Sequence, residues 1–275
     1  MYEYEKVFRA FEKALLNYGS KRKPKDQIQA QIDKFKAFET RSLGDNQYFE
    51  ILVFVTFYSG FKAATVTSKS EVIKKHFPNW EVVSGYDSKD IDRILNDPRM
   101  IKNRKKVTAC INNAKTIKNL IDKFGSFKNY LDSFDVLASF ENLMLLKEEL
   151  EAKFSYLGGV TVYHFLADIG MPVLKPDRVI CRVFERLGLI ENGSQLLKTV
   201  IQGRKFSEAT KLPIRYIDIV FAAYGQAQST EFGIDKGICL KNPRCNLCEA
   251  SKYCHYYGLT KQSSGLVNSR PSYSR

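Results

Sequence analysis

Residues 154–189, FSYLGGVTVYHFLADIGMPVLKPDRVICRVFERLGL, decide the fold. They read as the end of one helix, a glycine turn, a short helix, a loop, an acidic residue and another helix. Gly158 and Gly159 permit backbone angles that a side chain disfavours. The amides after the turn open the next helix, so unpaired N–H groups sit at a positive dipole end and can hold a phosphate without a cationic side chain. The short helix runs to about Asp168, with Gly170 and Pro172 as its stop signal. Asp177 then opens an amphipathic helix carrying Val179, Val183, Arg186 and Leu187 on related faces. On these residues alone Asp177 reads equally as an ordinary N-cap and as a working carboxylate.

The chain has 275 residues, enough for one large or two modest domains with a real core. Its 19 Phe and 15 Tyr argue against disorder outside the ends. A net charge of +13 favours a polyanionic partner, though charge alone does not separate DNA from RNA or an anionic membrane. No signal-peptide pattern is present, and the longest apolar run, Tyr48–Phe61, is interrupted by Glu50, Thr56 and Ser59. A cytosolic location follows as the expectation, with the six cysteines as thiols or metal ligands.

Apolar spacing elsewhere is helical throughout. Tyr4, Val7, Phe8, Phe11, Leu15 and Tyr18 repeat on one face until Gly19, and a second helix passes through Ile28, Ile32 and Phe35. Asp45 or Asn46 can cap a buried helix over 47–65, Pro78 closes a short helix ending at His76-Phe77, and Asp87 with Asp90 marks another start. The helix over 103–124 carries the clearest stripe, Val107, Cys110, Ile111, Ala114, Ile117, Ile121 and Phe124, and Gly125 stops it. Lys102, Arg104, Lys105, Lys106, Lys115 and Lys118 occupy its first turn and other faces, as a solvated surface or a DNA-backbone patch. Further helices are expected at about 135–153, 194–202, 207–211 and 213–226. With no strand alternation and no repeat, the fold class is all-α.

Near the C-terminus, Cys239-x5-Cys245-x2-Cys248-x5-Cys254 places four thiols within sixteen residues, beside Lys241, Arg244 and Lys252. They can wrap one metal centre. Structural zinc more often uses two C-x2-C-type pairs, and one is present, so spacing alone leaves zinc and an iron–sulfur centre both open. Cys110 and Cys181 lie on apolar faces and read as core.

Leu157-Gly158-Gly159-Val160-Thr161, followed by Asp177-Arg178-Val179-Ile180-Cys181-Arg182-Val183, resembles the helix-hairpin-helix and Gly/Pro-Asp motif of the base-excision DNA glycosylases. Gly158 stands in place of the motif's proline, Thr161 in place of its second glycine, and Arg178 near a common Thr-His pair. Tyr48–Val53 looks like the Phe-Glu-Leu-Leu entry helix of these glycosylases, and residues 97–106 and 124–127 are similar to 3-methyladenine DNA glycosylase I. The Glu and Trp of that enzyme's base pocket align with Val55 and Ala63, so this pocket is not carried over. The cysteine spacing, Phe221–Gln226 and Pro243-Arg244-Cys245 resemble the iron–sulfur loop of the endonuclease III branch, which has one more residue between its first two cysteines.

The resemblance implies two helical lobes: N-terminal helices over 1–45 packing on the cluster lobe, a helical domain over 46–170 ending in the hairpin, the Asp177 helix with a [4Fe–4S] domain over 171–258, and a mobile tail over 259–275. It implies a monomeric, monofunctional DNA N-glycosylase of base excision repair, binding double-stranded DNA and flipping out a damaged base, with alkylated purines preferred. A mismatch or uracil/thymine glycosylase and a non-catalytic DNA-binding module are the competing readings. Asp177 would stabilise the sugar cation or activate water. Leu157 to Thr161 with Lys105, Lys106 and Arg244 would bind the backbone, and Tyr58, Phe61, Lys62 and Tyr163 would form pocket or wedge. Cys239, Cys245, Cys248 and Cys254 would hold the cluster. Residues 154–174 lack the Schiff-base lysine of bifunctional relatives, and Lys175 is the nearest substitute.

Overall fold

The computed structural model describes residues 2–37 and 43–260. Among them there is no strand, only an isolated bridge between Ser229 and Ile234. In chain order the helices are α1 (Tyr4–Gly19), α2 (Lys25–Lys36), α3 (Asp45–Tyr58), α4 (Ala63–Thr67), α5 (Ser70–His76), α6 (Trp80–Ser84) and α7 (Ser88–Asn96). They continue as α8 (Arg104–Phe124), α9 (Phe127–Asp132), α10 (Phe140–Lys153), α11 (Val160–Asp168), α12 (Arg178–Arg186), α13 (Leu196–Thr210) and α14 (Ile214–Gly225). No helix among the described residues is long and apolar enough to cross a membrane.

The chain divides into two compact units, residues 2–37 with 173–260, and residues 43–172. In the first, α1 packs on α13 and α14, and α12 packs on α14. Aromatic rings dominate this core. Phe11 meets Phe221 and Tyr224 at centroid distances of 5.0 and 4.3 Å, and Phe206 meets Phe221 at 4.9 Å. A side chain at Gly225 would bring its Cβ within 2.6 Å of Val179, so glycine there lets α14 close on α12. In the second unit, α8 runs against α3, α6 and α9, burying Val107, Cys110, Ile111, Ala114 and Ile117 as its stripe requires. Gly125 ends it at φ 84°, in the left-handed region.

Several boundaries differ from those expected. The helix expected over 47–65 stops at Tyr58, because Ser59 turns extended and Gly60 takes φ 76°, and α4 follows separately. Asp45 does not cap it. Its carboxylate accepts the Phe127 amide at 2.9 Å, while Gln47 accepts the Gly44 amide. The two helices expected at 194–202 and 207–211 are the single α13, continuous through Gly203, where a Cβ would strike Leu174 at 1.8 Å. The short helices α6 and α9 were not expected; each starts on a side-chain cap, Asn79 and Ser126 respectively. Residues 255–260 are helical, and the rest of the expected tail lies outside the described residues.

Candidate active site and nucleic-acid interface

The hairpin is built by α10, a turn and α11. Asn113, buried on α8, holds the turn's entrance by donating to the Ser155 carbonyl at 3.0 Å and accepting its amide at 2.8 Å. Left-handed geometry falls on Tyr156 (φ 66°) and Gly159 (φ 57°), not on Gly158. Thr161, in place of a glycine, works inside the turn: its hydroxyl accepts the Gly158 amide at 2.9 Å and lies within hydrogen-bond distance of the Tyr156 carbonyl.

The expectation of open amides needs correction at two positions. Gly158 is engaged by Thr161, and the Gly159 amide donates to the Glu151 carboxylate at 2.9 Å. Glu151 is also paired with Lys147 at 2.6 Å. A carboxylate thus occupies a place where a phosphate oxygen was expected, one like charge that a bound backbone must displace. Glu151→Gln is expected to raise affinity for undamaged duplex roughly fivefold, the equivalent of about 1 kcal/mol for one surface charge. Fluorescence anisotropy at fixed salt checks this; unchanged or weaker binding would mean the turn does not meet phosphate.

Leu157 is buried, so its part in the hairpin is packing, whereas Gly158 and Gly159 are exposed and Val160 and Thr161 half-buried. Lys105 is exposed on α8, but Lys106 does not belong to that stripe. It is buried, donating from Nζ to the Thr56 carbonyl, with the rings of Tyr156 and Phe61 at 4.5 and 5.6 Å. Burial pushes its ammonium below the usual lysine range. One helical position separates it from Lys105, and that rotation turns it inward. Arg244 is likewise committed: it donates to the Tyr18 hydroxyl and the Lys236 carbonyl, both at 2.8 Å, tying the cysteine loop to α1.

Of the expected pocket residues, Phe61 and Lys62 are exposed on the turn after α3, and Tyr58 is half-buried against His164. Tyr163 is buried in the core, which removes it as a wedge. Val55 is buried and Ala63 opens α4 exposed, so neither place offers a carboxylate or an indole.

Asp177 caps α12 and is half-buried. Its Oδ1 accepts the amides of Val179 and Ile180 at 2.8 and 3.0 Å, which sets the side-chain rotamer. The cap and the working carboxylate are one group. On α14 lies a carboxylate that sequence reading missed. Asp218 is buried and accepts from Arg215 at 2.7 Å.

The four cysteines line one small pocket, which Arg186 and Tyr256 also line. Among the described residues, no three His, Cys, Asp or Glu side chains are close enough to hold a single metal ion. Burial raises the Cys248 thiol to about 11 and pushes up those of Cys245 and Cys254. The Tyr224 hydroxyl is buried beside the Cys248 sulfur. Arg186 donates to the Cys239 sulfur at 3.2 Å and to the Leu240 and Lys241 carbonyls at 2.6 and 2.8 Å. Arg182 reaches the Cys239 carbonyl at 3.2 Å. Both arginines stand on α12, the helix that Asp177 heads.

The methyladenine glycosylase family model matches residues 36–176. The chain belongs to this family. It is a DNA glycosylase, hydrolysing N-glycosyl bonds. Among solved structures, a variant of 3-methyladenine DNA glycosylase I in complex with 3-methyladenine is 24% identical over 52% of this chain and 86% of its own, with a TM-score of 0.42. The Staphylococcus aureus enzyme of that name is 24% identical over 52% and 85%, also at 0.42. The 8-oxoguanine DNA glycosylase of Thermotoga maritima is 17% identical over 82% of this chain and 100% of its own, with a TM-score of 0.51, a likeness of fold. The family match in this glycosylase ends one residue before Asp177, so α12 and the cysteine loop lie beyond it.

Proposed function

We propose that this glycosylase acts as a monomer on double-stranded DNA, extrudes an alkylated purine and hydrolyses its glycosidic bond without cutting the strand. The observation that carries the reading is Asp177: a half-buried acidic side chain at the head of α12, fixed by two helix amides through one oxygen. As the base departs, positive charge develops on the sugar, and a preorganised carboxylate stabilises it or orients the attacking water. With Val55 and Ala63 in place of the family's pocket Glu and Trp, this role falls to Asp177. The hairpin, Lys105 and the exposed Phe61 and Lys62 serve backbone contact and base extrusion.

We infer also that Cys239, Cys245, Cys248 and Cys254 hold a [4Fe–4S] cluster. In support, the four thiols line one pocket, with Arg186 donating to the Cys239 sulfur and the Tyr224 hydroxyl buried beside that of Cys248. Bound there, the cluster supplies a cross-link. Arg182 and Arg186 then hold the loop against the Asp177 helix, and no hydrolytic step passes through the metal.

The test is a panel of duplexes carrying one lesion each. Release is expected from alkylated purines, without strand nicking and without borohydride-trapped enzyme. Release from uracil or mismatched thymine alone would favour the endonuclease III-like alternative, and trapping at Lys175 would overturn the purely hydrolytic reading.

A further inference from the structure

Lys106 is 3% exposed, and its partners are a carbonyl and two aromatic rings rather than a carboxylate. From α8 its Nζ donates to the Thr56 carbonyl in the last turn of α3, where the negative end of the helix dipole favours a cation. The chain then leaves α3 through Gly60 at φ 76°, and the ring of Phe61 lies 5.6 Å from the same Nζ. The ring of Tyr156 lies 4.5 Å from it as well, and this non-glycine residue is held at φ 66° at the entrance to the hairpin turn. A left-handed backbone there persists only when its surroundings fix it. Two turns further along α8, Asn113 holds Ser155, and the Tyr156 carbonyl takes the Thr161 hydroxyl. One buried ammonium thus joins two turns that reach the surface, residues 59–62 and 156–159.

We propose that Lys106 is a positioning residue for base extrusion: its ammonium holds the turn carrying Phe61 and Lys62 in register with the hairpin turn, so that the group entering the stack and the turn meeting the backbone work at one fixed spacing. The inference rests on the reading of those two turns as DNA contacts given above. Buried as it is, Lys106 meets no phosphate itself; it acts through Phe61 and Tyr156. A lysine suits the place because a compact charge on a flexible stem can serve a carbonyl and two ring faces together. Methionine fills similar space without charge, so it would leave the end of α3 uncapped and both rings without their common partner. The turns would then relax separately, and a shift of about 1 Å in a positioned group is worth up to about 10²-fold in rate.

Insertion into the stack is read from 2-aminopurine placed beside a tetrahydrofuran abasic-site analogue in a duplex, whose fluorescence rises as the stack opens. Lys106→Met is expected to slow that rise about tenfold, with the salt dependence of duplex binding unchanged, since no phosphate contact is removed. Tyr156→Leu is expected to slow it as well, and the double variant to be no slower than Lys106→Met alone, because the contact is already lost. A wild-type insertion rate in Lys106→Met, even with a lowered melting temperature, overturns the proposal. So does a salt slope reduced by about one, the mark of a lost phosphate contact. If Phe61→Ala inserts normally, the reading of that turn as the extruding element fails and this one with it. If Phe61→Ala is slow while Lys106→Met is normal, only the role of Lys106 is lost. Should Lys106→Met fail to fold, Tyr156→Leu decides, and normal insertion there overturns the proposal.

Discussion

Asp177→Asn should lower the rate of base release about 10³-fold, the scale on which a preorganised charge at a reaction centre acts. Folding should not suffer. Asn is as good an N-cap as Asp, and its carbonyl can accept the same Val179 and Ile180 amides. Melting temperature should stay within about 2 °C, since exchange between good caps is worth a few tenths of a kcal/mol. Binding to undamaged duplex should keep its salt dependence, because backbone neutralisation sets it and Asp177 adds no positive charge. Single-turnover release, thermal melting and a salt titration on one preparation separate the three effects. A variant as active as wild type would refute the assigned role. Lost activity with lost stability would leave Asp177 as a cap only.

Cys248→Ser should abolish binding of the proposed cluster and destabilise the unit formed by residues 2–37 and 173–260. Three features of the fold make the effect large. The loop between Cys239 and Cys254 has little core of its own, the Tyr224 hydroxyl is buried beside Cys248, and α12 is clamped to the loop by Arg182 and Arg186. Metal binding to such a site is folding free energy, so its loss should cost on the order of several kcal/mol. Base release should fall in parallel, since the clamped helix begins at Asp177. Iron and zinc content, visible absorbance and thermal melting provide the readout, with Cys110→Ser as the control. Cys110 is buried on α8 in the other unit, and its replacement should leave metal content unchanged. Full metal content in Cys248→Ser would remove Cys248 from the ligand set. Zinc without iron in the wild type would replace the cluster by a zinc site.

Local physics made much of this protein legible. The stripe from Val107 to Ile117 and the left-handed stop at Gly125 define α8. The Asp87–Asp90 pair does form a capping box at the start of α7, and Asp177 does cap α12. Each needs only neighbours a few residues away, and so do the hairpin and the cysteine spacing. The matched family segment and the acidic residue just beyond it could thus be found in order along the chain.

What could not be read are pairings set by groups remote in sequence. Asp45 looks like a cap until the Phe127 amide claims it. Lys106 looks like its neighbour Lys105 until Thr56 and Tyr156 close over it. Glu151 looks like one more helix-surface acid, yet the turn brings the Gly159 amide to it. Asp218 stands in an apolar run with Arg215 one turn before it, a pair that local spacing suggests, but nothing local says that its carboxylate is buried. Sequence by itself determined the helices, the turn and the ligand-rich loop, because hydrogen bonds and periodicity within a few residues suffice. Tertiary structure alone decided which charges remain exposed, which are buried and which face one another, because electrostatic partners are chosen by distance in space and by the water excluded around them.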